Sequence, residues 1–168
     1  LSGSSYVVFG KASGFNASMN LSDLDGNNGF RLDGVSAYAR LGLSVSNAGD
    51  VNGDGFDDVI VGAYGGDRNN GELSGSSYVV FGKASGFNAT MNLSVLDGSN
   101  GFRLDGEAAG DMSGISVSNA GDVNGDGFDD VIVGAAGADP NGNSSGSSYV
   151  VFGKASGFSA TLEFSSLG

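Results

Sequence analysis

The sequence predicts an all-β fold made of β-propeller blades, which are four-stranded antiparallel sheets. Three observations predict it: an internal repeat of about 72 residues, four short apolar strand candidates in each repeat, and 32 Gly against 1 Pro among 168 residues. Short apolar runs bounded by glycine are typical of strands joined by tight turns. Four such strands per repeat indicate a propeller blade, and a stacked β-solenoid is the competing architecture.

The repeat is visible in two long segments. The segment SGSSYVVFGKASGF begins at Ser2, Ser74 and Ser145, at offsets of 72 and 71 residues. The segment SVSNAGDVNGDGFDDVIVGA begins at Ser44 and again at Ser116, 72 residues later. Since a fixed period of this length marks a repeat architecture, the chain holds a little over two copies of one structural unit.

Each unit supplies four strand candidates. In the complete unit the first to fourth strands are predicted at Gly42–Asn47, Asp57–Ala63, Ser77–Phe81 and Gly101–Asp105. The next unit repeats the first three at Gly114–Asn119, Asp129–Ala135 and Ser148–Phe152, and a preceding unit supplies the third and fourth at Ser5–Phe9 and Gly29–Asp33. The uninterrupted runs VIV and YVVF predict strands covered on both faces. The fourth strand contains Arg31 or Arg103 and is predicted to form an outer edge.

The repeats divide the chain into three predicted parts. Residues 1–41 hold the third and fourth strands of one blade, residues 42–113 form a complete blade, and residues 114–168 form a second blade that lacks its fourth strand. A closed propeller has about four blades or more. We therefore expect further blades, either from a longer parent chain or from copies of this chain that associate into a ring.

The composition excludes several classes of partner. With 19 Asp and Glu against 7 Lys and Arg, the net charge is −12, so nucleic acid and anionic lipid are disfavoured partners. No apolar run is long enough to cross a bilayer, so membrane insertion is not expected. The chain has no Cys and no His, which removes thiol chemistry and the usual general base.

An acidic nine-residue loop lies between the predicted first and second strands. Side-chain oxygens fall at positions 1, 3, 5 and 9, glycine at position 6 permits a sharp turn, and the carbonyl of position 7 can point inward. Such a donor set suits Ca²⁺ better than Mg²⁺. The alternative is that these residues only form turns. An EF-hand or a dockerin loop needs an acid at position 12, where Val61 and Val133 stand.

This loop, D-x-N-x-D-G-x-x-D, followed by an apolar strand ending in Val-Gly-Ala, resembles the FG-GAP repeat. That repeat builds the seven-bladed propeller of integrin α-subunits and occurs in bacterial surface proteins, to which the near-identical units here are more similar. The "FG" position reads Leu41-Gly42 and Ser113-Gly114, and the "GAP" position reads Gly62-Ala63-Tyr64 and Gly134-Ala135-Ala136. These departures affect packing and a turn, not the predicted metal ligands.

The resemblance implies two Ca²⁺ sites, each formed by four side chains and one backbone carbonyl. The first consists of Asp50, Asn52, Asp54, the carbonyl of Phe56, and Asp58. The second consists of Asp122, Asn124, Asp126, the carbonyl of Phe128, and Asp130. Loops of this kind in extracellular modules bind calcium at about 10⁻⁴–10⁻³ M, so the predicted location is extracellular or at the cell surface.

The loops on the opposite face differ between the units. Val35–Leu41 differs from Glu107–Ser113, and Tyr64–Leu73 differs from Ala136–Ser144, whereas the acidic loops are identical. One hypothesis is that this variable face binds a partner, in agreement with the face that integrin propellers use. The alternative is neutral drift. The exposed candidates are Tyr38, Arg40, Tyr64 and Arg68.

The sequence favours a binding module over an enzyme. An active site brings unlike groups together once, whereas every conspicuous polar cluster here occurs twice. The close carboxylate pairs that could cleave glycosides are those a calcium ion would occupy. The predicted function is calcium-dependent adhesion or binding of a protein ligand, and the alternatives are a glycan-binding propeller module and a purely structural scaffold.

Overall fold

The computed structural model describes residues 2–65 and 70–167 and is all-β, with three single-turn 3-10 helices. Among these residues, no helix has the length and apolar character needed to span a bilayer. The strands are β1 Ser4–Val8, β2 Gly29–Asp33, β3 Val45–Gly49, β4 Asp58–Ala63, β5 Ser76–Val80, β6 Thr90–Asn92, β7 Gly101–Asp105, β8 Ser113–Gly121, β9 Asp130–Ala135, β10 Ser147–Val151 and β11 Thr161–Glu163. The 3-10 helices are Leu21–Asp23, Leu93–Val95 and Phe164–Ser166.

The strands form three sheets that correspond to the three predicted blades. The first sheet has the order β1-β2-β6, the middle sheet β3-β4-β5-β7-β11 and the third sheet β8-β9-β10. Neighbouring strands within a blade are antiparallel, as in a meander. None of the sheets closes into a barrel. The prediction of an all-β partial propeller is therefore confirmed.

The predicted strand positions agree closely with the structure. Both fourth strands, at β2 and β7, have the predicted bounds. The first strand of the complete blade was predicted to start at Gly42 but starts at Val45. Gly42 has a φ of 90°, which a regular strand does not adopt, and its amide donates to the Gly62 carbonyl at 3.1 Å. The chain therefore bends before it joins the ladder.

The middle sheet is buried on both faces because a neighbouring sheet covers each one. Val61 and Val80 pack in a cluster with Phe30 and Leu32 of the first sheet. The alternate residues Ile60, Val79 and Leu104 pack in a cluster with residues of the third sheet. This explains the uninterrupted apolar runs: both side-chain directions of β4 and β5 point into a core.

Gly62 in β4 marks the closest approach between two blades. A Cβ built at this position would collide with the carbonyl oxygen of Gly114 at the start of β8. Any side chain here would push the third sheet away from the middle one. Glycine in the Val-Gly-Ala sequence is therefore required by blade packing rather than by a turn.

The fourth strand does not form an outer edge, so that prediction was wrong. β11 pairs in parallel with β7, and β6 pairs in parallel with β2. The polar residues of β7 have a different role: Arg103 forms an ion pair of 2.7 Å with Asp105, which is only 1% exposed. The alternation of arginine with apolar residues thus reflects this ion pair, and the outer edge is covered by the next unit.

The covering strand belongs to a segment that lies between the third and fourth strands of a blade. We call this segment the latch. It occurs at residues 10–23, 82–95 and 153–166, and it begins with Gly-Lys-Ala-Ser-Gly-Phe in all three copies. In the second copy, Phe87 stacks on Phe30 of β2 with ring centroids 4.6 Å apart. In the third, Phe158 stacks on Phe102 of β7 at the same distance. The second and third latches therefore each reach back to the outer strand of the preceding blade.

The identical sequence SSYVV occurs in three environments. In β5 all five residues are buried, because β5 has a neighbouring strand on each side. β1 and β10 are only partly buried, since each pairs with one strand alone. An open cleft of about 730 Å³ lies between β1 and the strands β3 and β4.

Candidate metal centre

The first acidic loop is a turn held by its own carboxylates. Asp50 accepts hydrogen bonds from the backbone amides of Asp54 at 3.0 Å and Gly55 at 2.9 Å. Asp54 accepts one from the amide of Phe56 at 2.9 Å, and the Asn52 side chain donates to Asp54 at 3.0 Å. The loop therefore curls so that the side chains at positions 1, 3 and 5 lie together.

The second loop repeats this arrangement. Asp122 accepts from the amides of Asp126 at 3.0 Å and Gly127 at 2.9 Å. Asp126 accepts from Phe128 at 3.0 Å, and Asn124 donates to Asp126 at 2.8 Å. Because the two sequences are identical, hydrogen bonds link the residues at positions 1, 3 and 5 in the same way in both loops.

The ninth residue of each loop is buried at the start of the second strand. Asp58 is 0% exposed, and its two carboxylate oxygens accept from the amides of Val51 at 3.0 Å and Gly82 at 2.7 Å. Asp130 is also 0% exposed and accepts from Val123 and Gly153, both at 2.9 Å. This aspartate thus links the acidic loop to the first residue of the latch through hydrogen bonds.

The environment of Asp58 disfavours its charge. The pKa of Asp58 is raised to about 7, mainly because the carboxyl group is buried and also because the carboxylates of Asp54 and Asp50 lie nearby, against the lowering effect of the hydrogen bonds from the Gly82 and Val51 amides. A cation near a buried carboxylate stabilises the ionised form. The ionised form of Asp58 is therefore stabilised when a cation binds beside it.

The chemistry of the loop residues fits a hard divalent cation. Each loop offers three carboxylates, one amide oxygen and one backbone carbonyl, and Ca²⁺ takes six to eight such oxygen ligands. A carboxylate oxygen that accepts one amide hydrogen keeps a lone pair for a metal. Within residues 2–65 and 70–167, no three acidic side chains converge closely enough to define a metal cluster by carboxylates alone. The ligand set therefore stays a prediction.

The two acidic loops contact each other directly. Asp129 accepts a hydrogen bond from the amide of Asp50 at 2.9 Å and donates its own amide to the Asp50 carbonyl at 3.2 Å. A Cβ on Gly53 would collide with the ring of Phe128. Position 1 of the first loop is therefore held by position 8 of the second, across the boundary between two blades.

The spacing of the acidic residues did not predict this contact. The sequence feature that corresponds to it is the pair of aspartates at positions 8 and 9, of which only the ninth was predicted to have a role. Asp57 is the equivalent of Asp129 in the first loop, yet it accepts only from the Asn47 side chain of its own unit, at 3.3 Å. The difference arises because no acidic loop of a preceding blade lies beside Asp57 in the described residues.

The predicted partner face is formed by two adjacent loops. The Arg40 guanidinium lies over the Tyr64 ring, 5.2 Å from its centroid, and donates to its hydroxyl. Tyr38 is 67% exposed and has a φ of 67°, which is uncommon for a non-glycine residue. Arg68 lies outside the described residues.

Blades of this kind, each with an acidic loop between its first two strands, define a class of β-propeller repeat. The family model described as "FG-GAP repeat" matches residues 41–80 and 113–151, so the chain contains two FG-GAP repeats. The first repeat runs through β3, β4 and β5, and the second through β8, β9 and β10. The matched segments include both acidic loops.

The chain is also similar to integrin α-subunits. It is 34% identical over 107 residues to integrin alpha-4 of Xenopus laevis, covering 63% of this chain and 9% of that protein. It is 36% identical over 110 residues to integrin alpha-V of Gallus gallus, covering 65% and 10%. It is 33% identical over 104 residues to integrin alpha-6 of Homo sapiens, covering 62% and 8%. The chain spans about a tenth of the length of these relatives.

Proposed function

We propose that the chain is a calcium-binding module that serves extracellular adhesion or the binding of a protein ligand, and that it is not an enzyme. One observation carries this proposal: the same acidic loop occupies the same position in both FG-GAP repeats and is tied by a buried aspartate to the strand behind it. A turn forms without a buried carboxylate, whereas a loop that binds a cation is stabilised by the negative charge of one.

The chain's own residues would hold the ion in stated roles. Asp50, Asn52 and Asp54 supply side-chain oxygens, Phe56 supplies its carbonyl, and Asp58 supplies the buried carboxylate. Bound Ca²⁺ would neutralise the mutual repulsion of these acids. The second loop does the same through its own five residues, Asp122, Asn124, Asp126, Phe128 and Asp130. The result is a loop fixed to its hairpin and hence to the neighbouring blade.

Isothermal titration calorimetry with CaCl₂ tests the proposed sites. We expect two Ca²⁺ ions per chain with dissociation constants of about 10⁻⁴–10⁻³ M, and weaker binding of Mg²⁺. Asp54→Ala and Asp126→Ala are each expected to remove one ion and leave the other. Asp57→Ala, which changes a carboxylate outside the predicted ligand set, is the matched control and should retain both. A wild-type chain that binds no calcium at 5 mM, about 5 to 50 times the expected dissociation constants, contradicts the proposal.

The proposed extracellular location follows from the affinity expected of such loops. Sites of this strength would be empty in resting cytosol and occupied outside the cell. The similarity to integrin α-subunits supports the same location.

We propose the variable face as the surface that binds the ligand. It carries an exposed tyrosine in a left-handed backbone conformation and an arginine packed on a second tyrosine. Tyrosine and arginine are enriched at the energetic centres of protein interfaces. Replacing Tyr38, Arg40 and Tyr64 by alanine is expected to weaken binding to cells or matrix at least tenfold, as measured by surface adhesion of the parent protein. Adhesion that is unchanged in this variant and lost with chelator would place the ligand elsewhere.

A further inference from the structure

The three copies of the latch are not in the same state. The copies at residues 82–95 and 153–166 dock on the outer strand of the preceding blade, whereas the copy at residues 10–23 contacts no such strand among the described residues. Residues 10–23 and 82–95 differ only at Ser18/Thr90 and Asp23/Val95, so a comparison of these two copies is internally controlled. The contacts that the first copy lacks are therefore those that the other two copies form.

The docked copies share one set of contacts. The amide of Arg31 donates to the Ala89 carbonyl, and the amide of Arg103 donates to the Ala160 carbonyl, both at 2.9 Å. A three-residue parallel strand follows in each case, and the latch phenylalanine stacks on the phenylalanine of the outer strand. In the second copy, Leu93, which directly follows the three-residue strand, is 2% exposed.

The undocked copy exposes the same apolar residues. Phe15 is 59% exposed, Met19 is 44% exposed and Leu21 is 47% exposed. Their counterparts in the docked second copy are Phe87 and Met91, which are partly buried, and the buried Leu93. Residues 18–20 form no strand, although the equivalent residues form β6. Among the described residues, the first copy therefore forms neither the backbone hydrogen bonds of the parallel strand nor the aromatic stack.

We propose that the first latch, residues 10–23, is a docking surface for the open outer strand of a further FG-GAP unit, of the Gly-Phe-Arg-Leu-Asp type. Such a strand offers a free backbone edge for residues 18–20 and a phenylalanine for Phe15 to stack on. The interface continues the one that the second and third latches already form within this chain. Association through an added strand relies on backbone hydrogen bonds, with side chains that fill defined pockets.

A second copy of this chain does not offer this partner. Its β2 is already covered by β6 and its β7 by β11, and its third sheet has no fourth strand among the described residues. The occupant must therefore bring an outer strand whose edge is free. This chemistry identifies a further repeat unit rather than the same chain again.

An extended chain tests the proposal. A copy of residues 2–73 is placed directly before Ser2, which preserves the Leu-Ser junction of the natural repeat. The added unit then presents an open β2 strand to the first latch. We expect Phe15→Ser to lower the unfolding midpoint of the extended chain by about 4 °C, as Phe87→Ser does, because both phenylalanines are then docked. In the original chain Phe15→Ser should leave the midpoint unchanged. Amide hydrogen exchange of residues 16–21 should slow at least about tenfold in the extended chain.

Two outcomes of this experiment would overturn the proposal. The first is that Phe15→Ser has no effect in the extended chain while Phe87→Ser destabilises it. The second is that exchange at residues 16–21 remains fast. A third outcome, in which the original chain sediments as a dimer that Phe15→Ser dissociates, would show that a second copy is the occupant and would also contradict it.

A second variant tests the same surface without added residues. Phe158→Ser combined with Leu162→Ser removes the apolar contacts of the third latch and opens the outer edge of β7. This variant is expected to self-associate into head-to-tail oligomers in sedimentation velocity, with the Phe15 latch of one molecule on β7 of the next. Adding Phe15→Ser should return it to a monomer. An opened variant that remains monomeric, with near-UV spectra of a folded chain, would contradict the proposed docking.

Discussion

The aspartate at position 9 of each loop differs from the others because it is buried and fully hydrogen-bonded. Both oxygens of Asp58 accept backbone amides, one from its own loop and one from the start of the latch. A buried acceptor that loses its charge and one of its bonds leaves a donor unpaired, which is costly. This residue therefore has a structural role even without a metal.

We predict that Asp58→Asn destabilises the chain by about 2–3 kcal/mol in the presence of chelator, because the new amide group cannot accept from both Val51 and Gly82. Urea unfolding followed by far-UV circular dichroism measures the effect. The control is Asp57→Asn, an exposed neighbour that should change stability by less than about 0.5 kcal/mol. Equal effects of the two substitutions would contradict the assignment.

The position of these residues could be predicted from the sequence, but not all of their roles. The 72-residue repeat and the spacing of acids identified every proposed ligand in both loops. The bonds from Asp58 to Gly82 and from Asp129 to Asp50 join positions that are 24 and 79 residues apart. Contacts at such separations depend on how blades pack, and a single loop sequence contains no information on that packing.

At the scale of elements, the two acidic loops are coupled by Asp129. This residue is not a proposed ligand, yet it fixes the backbone of Asp50 in the other loop. In an Asp126→Ala background, where only the first site can bind calcium, we predict that Asp129→Ala weakens that site about fivefold, equivalent to one hydrogen bond of about 1 kcal/mol. Calorimetric titration measures the affinity.

The matched control for this coupling is Asp57→Ala in the same background. Asp57 holds position 8 of the first loop but contacts no neighbouring loop, so the affinity should stay within about twofold. If both substitutions weaken the site equally, the effect arises from lost charge rather than from the contact between blades. That result would contradict the coupling.

The strand sequence SSYVV provides a second test at this scale, because it occurs in β1, β5 and β10. Val79 of β5 is 0% exposed, whereas the equivalent Val150 of β10 is 36% exposed. We predict that Val79→Ala costs about 2 kcal/mol and that Val150→Ala costs less than about 1 kcal/mol, in proportion to the methyl groups each one buries. Denaturant unfolding measures both, and equal costs would contradict the arrangement of the sheets.

At this scale, the strands of the latch are the elements that were not predicted from the sequence. The predicted strands β2 and β7 have the observed bounds, because glycine at the start and a fixed apolar pattern define them. The latch contains no long apolar run, so its short strands are not predicted from the sequence. Its three-residue strands form only against an outer strand of another blade, so the tertiary partner, rather than local propensity, decides that structure.

At the scale of the whole molecule, three sheets pack face to face and the middle one is covered on both sides. The two described core clusters lie between successive sheets. The second and third latches join the same pairs of sheets at their ends, and the acidic loops join the middle sheet to the third. Each repeat thus contacts its neighbours alone, as in other repeat proteins. Stability should therefore depend on the interfaces between units as much as on each unit.

Calcium is expected to act on these interfaces. An ion bound by the folded loops and not by the unfolded chain stabilises the fold by mass action. At ten times the dissociation constant the gain is about 1.4 kcal/mol per site. Because the loops interlock between blades, both sites should contribute to one cooperative transition.

Thermal unfolding in 5 mM CaCl₂ and in chelator tests the central claim most directly. We predict that calcium raises the midpoint of the wild-type chain by about 5–10 °C, the shift expected for roughly 3 kcal/mol in a chain of this size. The double variant Asp54→Ala with Asp126→Ala should show the same midpoint in both solutions. A wild-type midpoint that does not change between calcium and chelator would contradict the account.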